Sequence, residues 1–312
     1  MPEAQSAAAV LMVRPACFGF NPQTADSNAF QHAAGDGPAT RGANQAKVLA
    51  EFDGVSGALR AAGIRVLIAA DSPSPAKPDA IFPNNWVSFH HDGTVALYPM
   101  LAANRRLERR EEILAQVVRE GHFRVSRTVD FTYHEAEERY LEGTGSLVLD
   151  RVHRVAYACS SARTDLTVLG DFAQQLDYEL VNFDALDAQG RAIYHTNVAM
   201  AVGSRFAIVC GEAITQATHR AAVFARLKNS GHDIIDISRA QMLEFAGNTL
   251  ELAPADGPIL VLSGTALRSL TPAQRAQLQR HVKLVAVDIP SIETVGGGGV
   301  RCMLAEIHLP AS

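Results

Sequence analysis

Cys302 closely follows a run of four glycines, Gly296 to Gly299, with Val300 and Arg301 between. Glycine lets a backbone turn tightly and approach a ligand closely, so the run singles out one thiol among the four in the chain. It lacks the Gly-Lys-Ser/Thr of a phosphate loop and leads toward a strand rather than a helix, which argues against a nucleotide site. Cys17, Cys159 and Cys210 read as small buried hydrophobes. Two other residues have the chemistry to serve a nucleophilic thiol. They are His195, in Tyr194-His195-Thr196-Asn197, and Glu142, in Leu141-Glu142-Gly143-Thr144-Gly145. A thiol, an imidazole and a carboxylate in one pocket form a constellation for covalent catalysis. Taken singly, His195 is one of 11 histidines and Glu142 is a carboxylate in a turn. Their value depends on whether the fold brings them to Cys302. No HExxH motif and no paired Cys or His spacing marks a metal site.

The order of strands and helices suggests how such distant residues meet. Val87–Phe89 and Thr94–Leu97 read as paired strands around His91-Asp92-Gly93, followed by an amphipathic helix over 105–120 and a strand over 123–129. The order returns with strands 146–149 and 155–158, helix 165–176 and strand 178–183. It returns again with strands 198–202 and 206–209, a helix near 218–228 and strand 233–237. A further copy has strands 249–252 and 259–262, a helix over 272–281 and strand 284–287, with Thr271 as N-cap and Pro272 at the first helical position. Joining 303–309 to 10–13, helix 44–62 and strand 65–68 makes a fifth copy, at a period of roughly 50 residues. Such a ring removes exposed sheet edges. The plainer alternative is an α/β sheet of irregular order. In the ring, Asn84-Asn85, Glu142, His195, Asn248 and Cys302 each stand just before the first strand of a unit. Equivalent positions in a pseudo-symmetric ring converge on one end of its axis.

Composition narrows the partners. The chain has 312 residues, 47% apolar and 20% charged, with a net charge of −5. These values suit a globular protein, and no basic face invites nucleic acid. The apolar run Ala7 to Val13 has no basic residue before it and is too short to span a bilayer, so it reads as a strand rather than a signal peptide. The cysteines lie far apart, with no CxxC pair, which suits reduced thiols. The expected location is the cytoplasm, and the expected partner is a small molecule rather than nucleic acid or membrane. Self-association stays open.

Met12-Val13-Arg14-Pro15, Phe82-Pro83-Asn84-Asn85-Trp86, the turn after Glu142, His195 and Cys302 together resemble the guanidino-group-modifying superfamily. Its pentein fold is shared by arginine deiminase, dimethylarginine dimethylaminohydrolase and the dihydrolases. The chain is most similar to the citrulline-utilisation hydrolase branch, over essentially its full length. The resemblance implies an α/β fold, a five-bladed pseudo-symmetric propeller of ββαβ units forming one catalytic domain over 1–312. By motif, Cys302 matches the nucleophile, His195 the general acid–base and Glu142 the active-site carboxylate. Relatives usually carry a second glycine and an acid in the turn after Glu142, where this chain has Thr144 and Ser146. Arg163, in Ser161-Ala162-Arg163-Thr164, matches a turn that grips the substrate carboxylate. Arg105 and Arg106 resemble a second such site, and Asp79 and Asn28 join the implied substrate-binding residues. No cofactor or metal is implied.

The departure at Asn84-Asn85 bears on the substrate. Deiminases and dimethylarginine hydrolases carry an acid there to hold a cationic guanidinium, whereas the dihydrolases have Asn. A buried guanidinium lacking a carboxylate partner costs on the order of 3–5 kcal/mol. A neutral urea offers a carbonyl acceptor and amide donors, which Asn satisfies. The expected reaction is therefore thiol-dependent hydrolysis at a urea or guanidine carbon, with citrulline giving ornithine, ammonia and carbon dioxide. The alternatives are an arginine deiminase or dihydrolase, an amidinotransferase and a non-catalytic binding pentein.

Overall fold

The computed structural model describes residues 3–32 and 38–312. The strands form five three-stranded sheets. In four of them the chain runs in order. The sheets are Val87–Phe89, Thr94–Leu97 and Arg127–Asp130; then Val148–Asp150, Val155–Cys159 and Glu179–Phe183; then Met200–Val202, Phe206–Val209 and Asp233–Asp236; then Leu250–Leu252, Ile259–Ser263 and Lys283–Val287. Each first pair is antiparallel and each second pair parallel, and a helix bridges the parallel strands. In the fifth sheet Ala305–Glu306 pairs antiparallel with Ala9–Arg14, Val10 facing Glu306, and Arg65–Ala70 adds in parallel. The ring therefore closes through the two ends of the chain, as the repeat predicts.

Local chemistry explains the elements. Val, Ile, Leu and aromatic side chains fill the central strands, which are buried on both faces. The helix Pro272–Gln279 starts with a capping box, in which Thr271 accepts from the Gln274 N–H, and Pro272 occupies the first turn. Asp165 caps the helix Leu166–Leu176 by accepting from the N–H groups of Thr167 and Val168.

Three differences from the sequence reading matter for the site. The predicted helix over 105–120 divides into a 3-10 helix, Ala103–Glu108, and an α-helix, Glu111–Gly121. Arg105 and Glu108 are both buried, so the first turn faces inward instead of continuing the surface helix. Phe123 lies in an isolated bridge to Ala311, and the regular strand starts only at Arg127. Finally, the segments before the first strands are short helical turns, Pro83–Asn85, Gly143–Ser146, Thr196–Ala199 and Val300–Met303.

These turns are stitched around the axis. The Thr144 hydroxyl donates to the Asn84 carbonyl at 3.4 Å, the Asn197 amide to the Thr144 carbonyl at 3.2 Å, and the Asn248 amide to the Asn197 carbonyl at 2.9 Å. The side chain that opens one unit thus satisfies the backbone of the unit before it.

Candidate active site

Glu142 and His195 are the residues immediately preceding two of these turns, and Cys302 lies within a third. All three are buried. His195 Nε2 is 2.9 Å from Glu142 Oε2. An ionised carboxylate only accepts, so Nε2 carries the proton and Nδ1 keeps a free lone pair. Nδ1 lies beside Gly145, where a Cβ atom would come within 2.8 Å of it and within 2.4 Å of Asn85 Nδ2. Only glycine leaves that space. Ser146 accepts from the Glu142 N–H at 3.1 Å and donates to the Arg163 carbonyl at 2.7 Å, which ties the turn to the loop that carries Arg163.

His195 and Cys302 line a narrow cleft with Thr24, Asn28, Asp79, Phe82, Asn85, Arg105, Arg163, Tyr194 and Gly296 to Gly298. Gly297 adopts φ +63, and its missing side chain makes room for Asn28, whose amide donates to the Gly296 and Gly297 carbonyls at 3.4 Å. Tyr194 donates to the same Gly297 carbonyl at 2.6 Å. The glycine run is thereby pinned from two sides, next to Cys302.

The two buried arginines set the electrostatics. Arg163 Nη1 is 3.3 Å from Glu142 Oε2, and Arg105 Nη1 is 3.6 Å from the same oxygen. Burial alone raises the Glu142 carboxyl, but Arg163, His195 and Arg105 together outweigh it and hold the group well below the usual carboxylate range. Burial and the two arginines push His195 down to about 4 despite the Glu142 contact. The shared carboxylate stays charged and the imidazole stays neutral. Burial also pushes the Cys302 thiol up, against the pull of Asn248, Arg301 and Asn197.

Arg105 is held by Glu108 in a two-pronged pair of 2.9 and 3.0 Å. Burial raises Glu108 to about 7 in spite of that arginine. Asp79 accepts from Asn21 at 2.7 Å through Oδ2, while its buried Oδ1 finds no partner. Asn85 Oδ1 accepts from Arg105 at 3.0 Å, leaving Nδ2 buried and unpaired at the cleft.

Most of the residues expected from sequence meet here, with two exceptions. Asn84 lies outside the cleft wall, and both polar atoms of its buried amide lack a protein partner. Arg106 turns away: it donates to the Met100 carbonyl at 3.0 Å, pairs with Glu135 and sits over the Tyr140 ring. Arg163 is in place, yet its guanidinium is engaged by Ser27 Oγ at 2.7 Å and the Thr24 carbonyl at 3.2 Å, above the Tyr194 ring. Thr24, Ser27 and Tyr194 go unmarked in the sequence reading. The first two belong to a stretch without periodicity. Tyr194 is signalled only by its place before His195. Among the described residues no group of His, Cys, Asp or Glu could hold a metal ion, and no helix is long and apolar enough to cross a membrane.

Residues 14–309 match the family described as N,N dimethylarginine dimethylhydrolase, eukaryotic. No curated protein matches the chain by sequence. Among solved structures, the N-terminal domain of ArgZ, an arginine dihydrolase from the ornithine–ammonia cycle in cyanobacteria, is similar in its substrate-bound form. The TM-score is 0.73 at 16% identity, over 97% of this chain and 99% of that one. DDAH from Pseudomonas aeruginosa, complexed with citrulline, gives a TM-score of 0.65 at 16% identity, over 97% and 100%. AgrE in a ternary complex with ornithine and NAD+ gives 0.73 at 17% identity over 97% of this chain, which spans 40% of that protein, as it spans 41% of full-length ArgZ. At such identities the likeness to these structures is one of fold. The family match over nearly the whole length goes further: the chain belongs to the N,N-dimethylarginine dimethylhydrolase family of the guanidino-group-modifying (pentein) superfamily, and it is a hydrolase of carbon–nitrogen bonds other than peptide bonds.

Proposed function

We propose that the enzyme hydrolyses citrulline to ornithine, ammonia and carbon dioxide. The observation that carries this reading is the orientation of Asn85. Arg105 has only donors, so the atom it meets is the Asn85 carbonyl oxygen, and the NH2 group of this cleft residue is left without a protein partner. An NH2 group requires an acceptor. The ureido oxygen of citrulline is one, whereas a protonated guanidinium has none. The free Oδ1 of Asp79 complements this by accepting from the ureido nitrogens.

In the proposed reaction Cys302 Sγ forms a bond to the ureido carbon, and its proton passes to Nδ1 of neutral His195. His195 returns that proton to the terminal nitrogen as the C–N bond breaks, releasing ammonia and leaving an S-carbamoyl adduct. His195 then takes a proton from water, whose oxygen bonds to the carbon as the C–S bond breaks. The resulting N-carboxy-ornithine loses carbon dioxide. Glu142 holds the imidazole in the tautomer this cycle needs. Arg163 binds the amino-acid carboxylate in place of the Ser27 hydroxyl, since a charged acceptor makes the stronger bond. All five units act as one catalytic domain, because residues from several of them contribute to the cleft.

A second reading follows from neighbours and family. ArgZ is an arginine dihydrolase, and the family is named for dimethylarginine. Incubation with citrulline, arginine, dimethylarginine and their N-acylated forms, with ammonia, ornithine and dimethylamine assayed, separates these. Ornithine and ammonia from citrulline alone are expected. Dimethylamine release, or citrulline accumulating from arginine, would overturn the proposal.

A further inference from the structure

Two side-chain amides converge on the Cys302 sulfur. Asn248 Nδ2 lies 3.4 Å from Sγ and Asn197 Nδ2 lies 3.7 Å from it. Neither amide is free to turn. Asn248 Nδ2 also donates to the Asn197 carbonyl at 2.9 Å, and Asn197 Nδ2 donates to the Thr144 carbonyl at 3.2 Å. A carbonyl only accepts, so in each case nitrogen must occupy that position, and the second N–H of the same group is delivered toward sulfur. Both asparagines are buried, so water does not compete for these hydrogens.

We infer that Asn248, with Asn197 behind it, is the donor that stabilises the anionic sulfur of Cys302. In forming the thiolate the S–H bond breaks, its electron pair stays on sulfur and the proton leaves to His195 or solvent. A buried anion needs compensation. Arg301 on the same turn supplies charge, but it is pledged to Glu306 at 2.8 Å and to the Leu304 carbonyl at 2.9 Å. Asn248 supplies a fixed dipole directly at the sulfur. The stitching that closes the ring thereby also aims the donor, because the bond to the unit before is what orients it. Tyr194 and Arg301 are further titratable groups coupled to the same sulfur.

This inference rests on Cys302 being the nucleophile, and its test reads the sulfur without any substrate. The rate of Cys302 alkylation by iodoacetamide is followed against pH, by mass spectrometry of the peptide that contains it. Asn248→Leu, close in shape but without a donor, is expected to raise the midpoint by about one pH unit and slow alkylation at neutral pH about tenfold. In turnover kcat should fall while KM changes by less than about twofold. Asn248→Asp, which puts a negative charge beside the sulfur, should raise the midpoint further, and it carries the same test if the Leu variant does not fold. A wild-type midpoint in a folded Asn248 variant, or a loss confined to KM, would overturn the inference. Full activity in Cys302→Ala would instead strike at the nucleophile itself, so the two failures are distinguishable.

Discussion

Arg105 Nη1 donates to Asn85 Oδ1 across 3.0 Å, and that contact leaves the buried Asn85 NH2 group without a protein partner. The consequence is a selectivity that a single atom can reverse. Asn85→Asp turns an acceptor toward the ligand in place of the NH2 group. A charge-assisted bond to guanidinium is worth roughly 1.5–3 kcal/mol, and 1.4 kcal/mol is a factor of ten. The ratio of kcat/KM for arginine over citrulline should rise about tenfold or more. An unchanged or falling ratio would move the choice of substrate elsewhere in the cleft.

Glu108 holds Arg105 with two bonds and so stands behind Asn85 without lining the cleft. Glu108→Gln offers one acceptor where the carboxylate offered two, and it leaves Arg105 less fixed. The expected result is weaker discrimination between citrulline and arginine, with the two kcat/KM values converging by about threefold or more. A crystal structure of the variant should show Arg105 displaced from Asn85. Wild-type selectivity with Arg105 displaced would show that Arg105 does not set the choice of substrate.

Cys302→Ala should abolish turnover while the melting temperature stays close to wild type, since the change removes one small side chain. Replacing Cys17, Cys159 or Cys210 should leave most activity. Ammonia release from the purified Cys302→Ala protein at a rate near wild type would rule out a thiol mechanism.

In the proposed reaction Arg163 has two effects, on the ligand head group and on the Glu142–His195 pair it touches. Arg163 lowers the affinity of His195 for a proton. Arg163→Met should therefore move the acid limb of kcat/KM upward by about one pH unit, besides raising KM severalfold. The wild-type limb belongs near the value of His195, about 4. Profiles of both proteins decide this, and a limb that stays put in the variant would confine Arg163 to the ligand.

The same histidine makes the fold acid-sensitive. Its ordinary value is 6.5 and its folded value about 4, so between these the unfolded chain binds a proton that the native chain refuses. Stability is then lost as pH falls through that window, by up to about 3 kcal/mol. His195→Asn should flatten the decline, read by urea denaturation at several pH values from neutral to mildly acidic. A slope identical to wild type would assign the sensitivity to other groups.

Periodicity made the five units legible, because alternating apolar strands and amphipathic helices recur in a constant order. Position within a unit then pointed to Glu142, His195, Asn248 and Cys302 together, although Asn248 carried no signal of a role. What stayed hidden depended on tertiary burial. The pattern over 105–120 continues without a break, and only the inward turn of Arg105 and Glu108 ends the helix early. Asn84 and Asn85 are neighbours of the same type, and nothing local says that Asn85 alone reaches the cleft. Arg105 and Arg106 posed the same problem, settled by which one Glu108 could hold.

The pairing of Val10 with Glu306 has a kinetic consequence. It joins residues separated by almost the whole chain, the kind of contact whose loop-closure entropy slows folding most. Four units can gather from contacts within their own stretches, but the fifth waits for the two ends to find each other. Cys302 lies beside that junction, on the turn leading into Ala305–Glu306. A refolding chain should therefore recover its circular dichroism before its catalysis, Cys302 being among the last groups to reach its place.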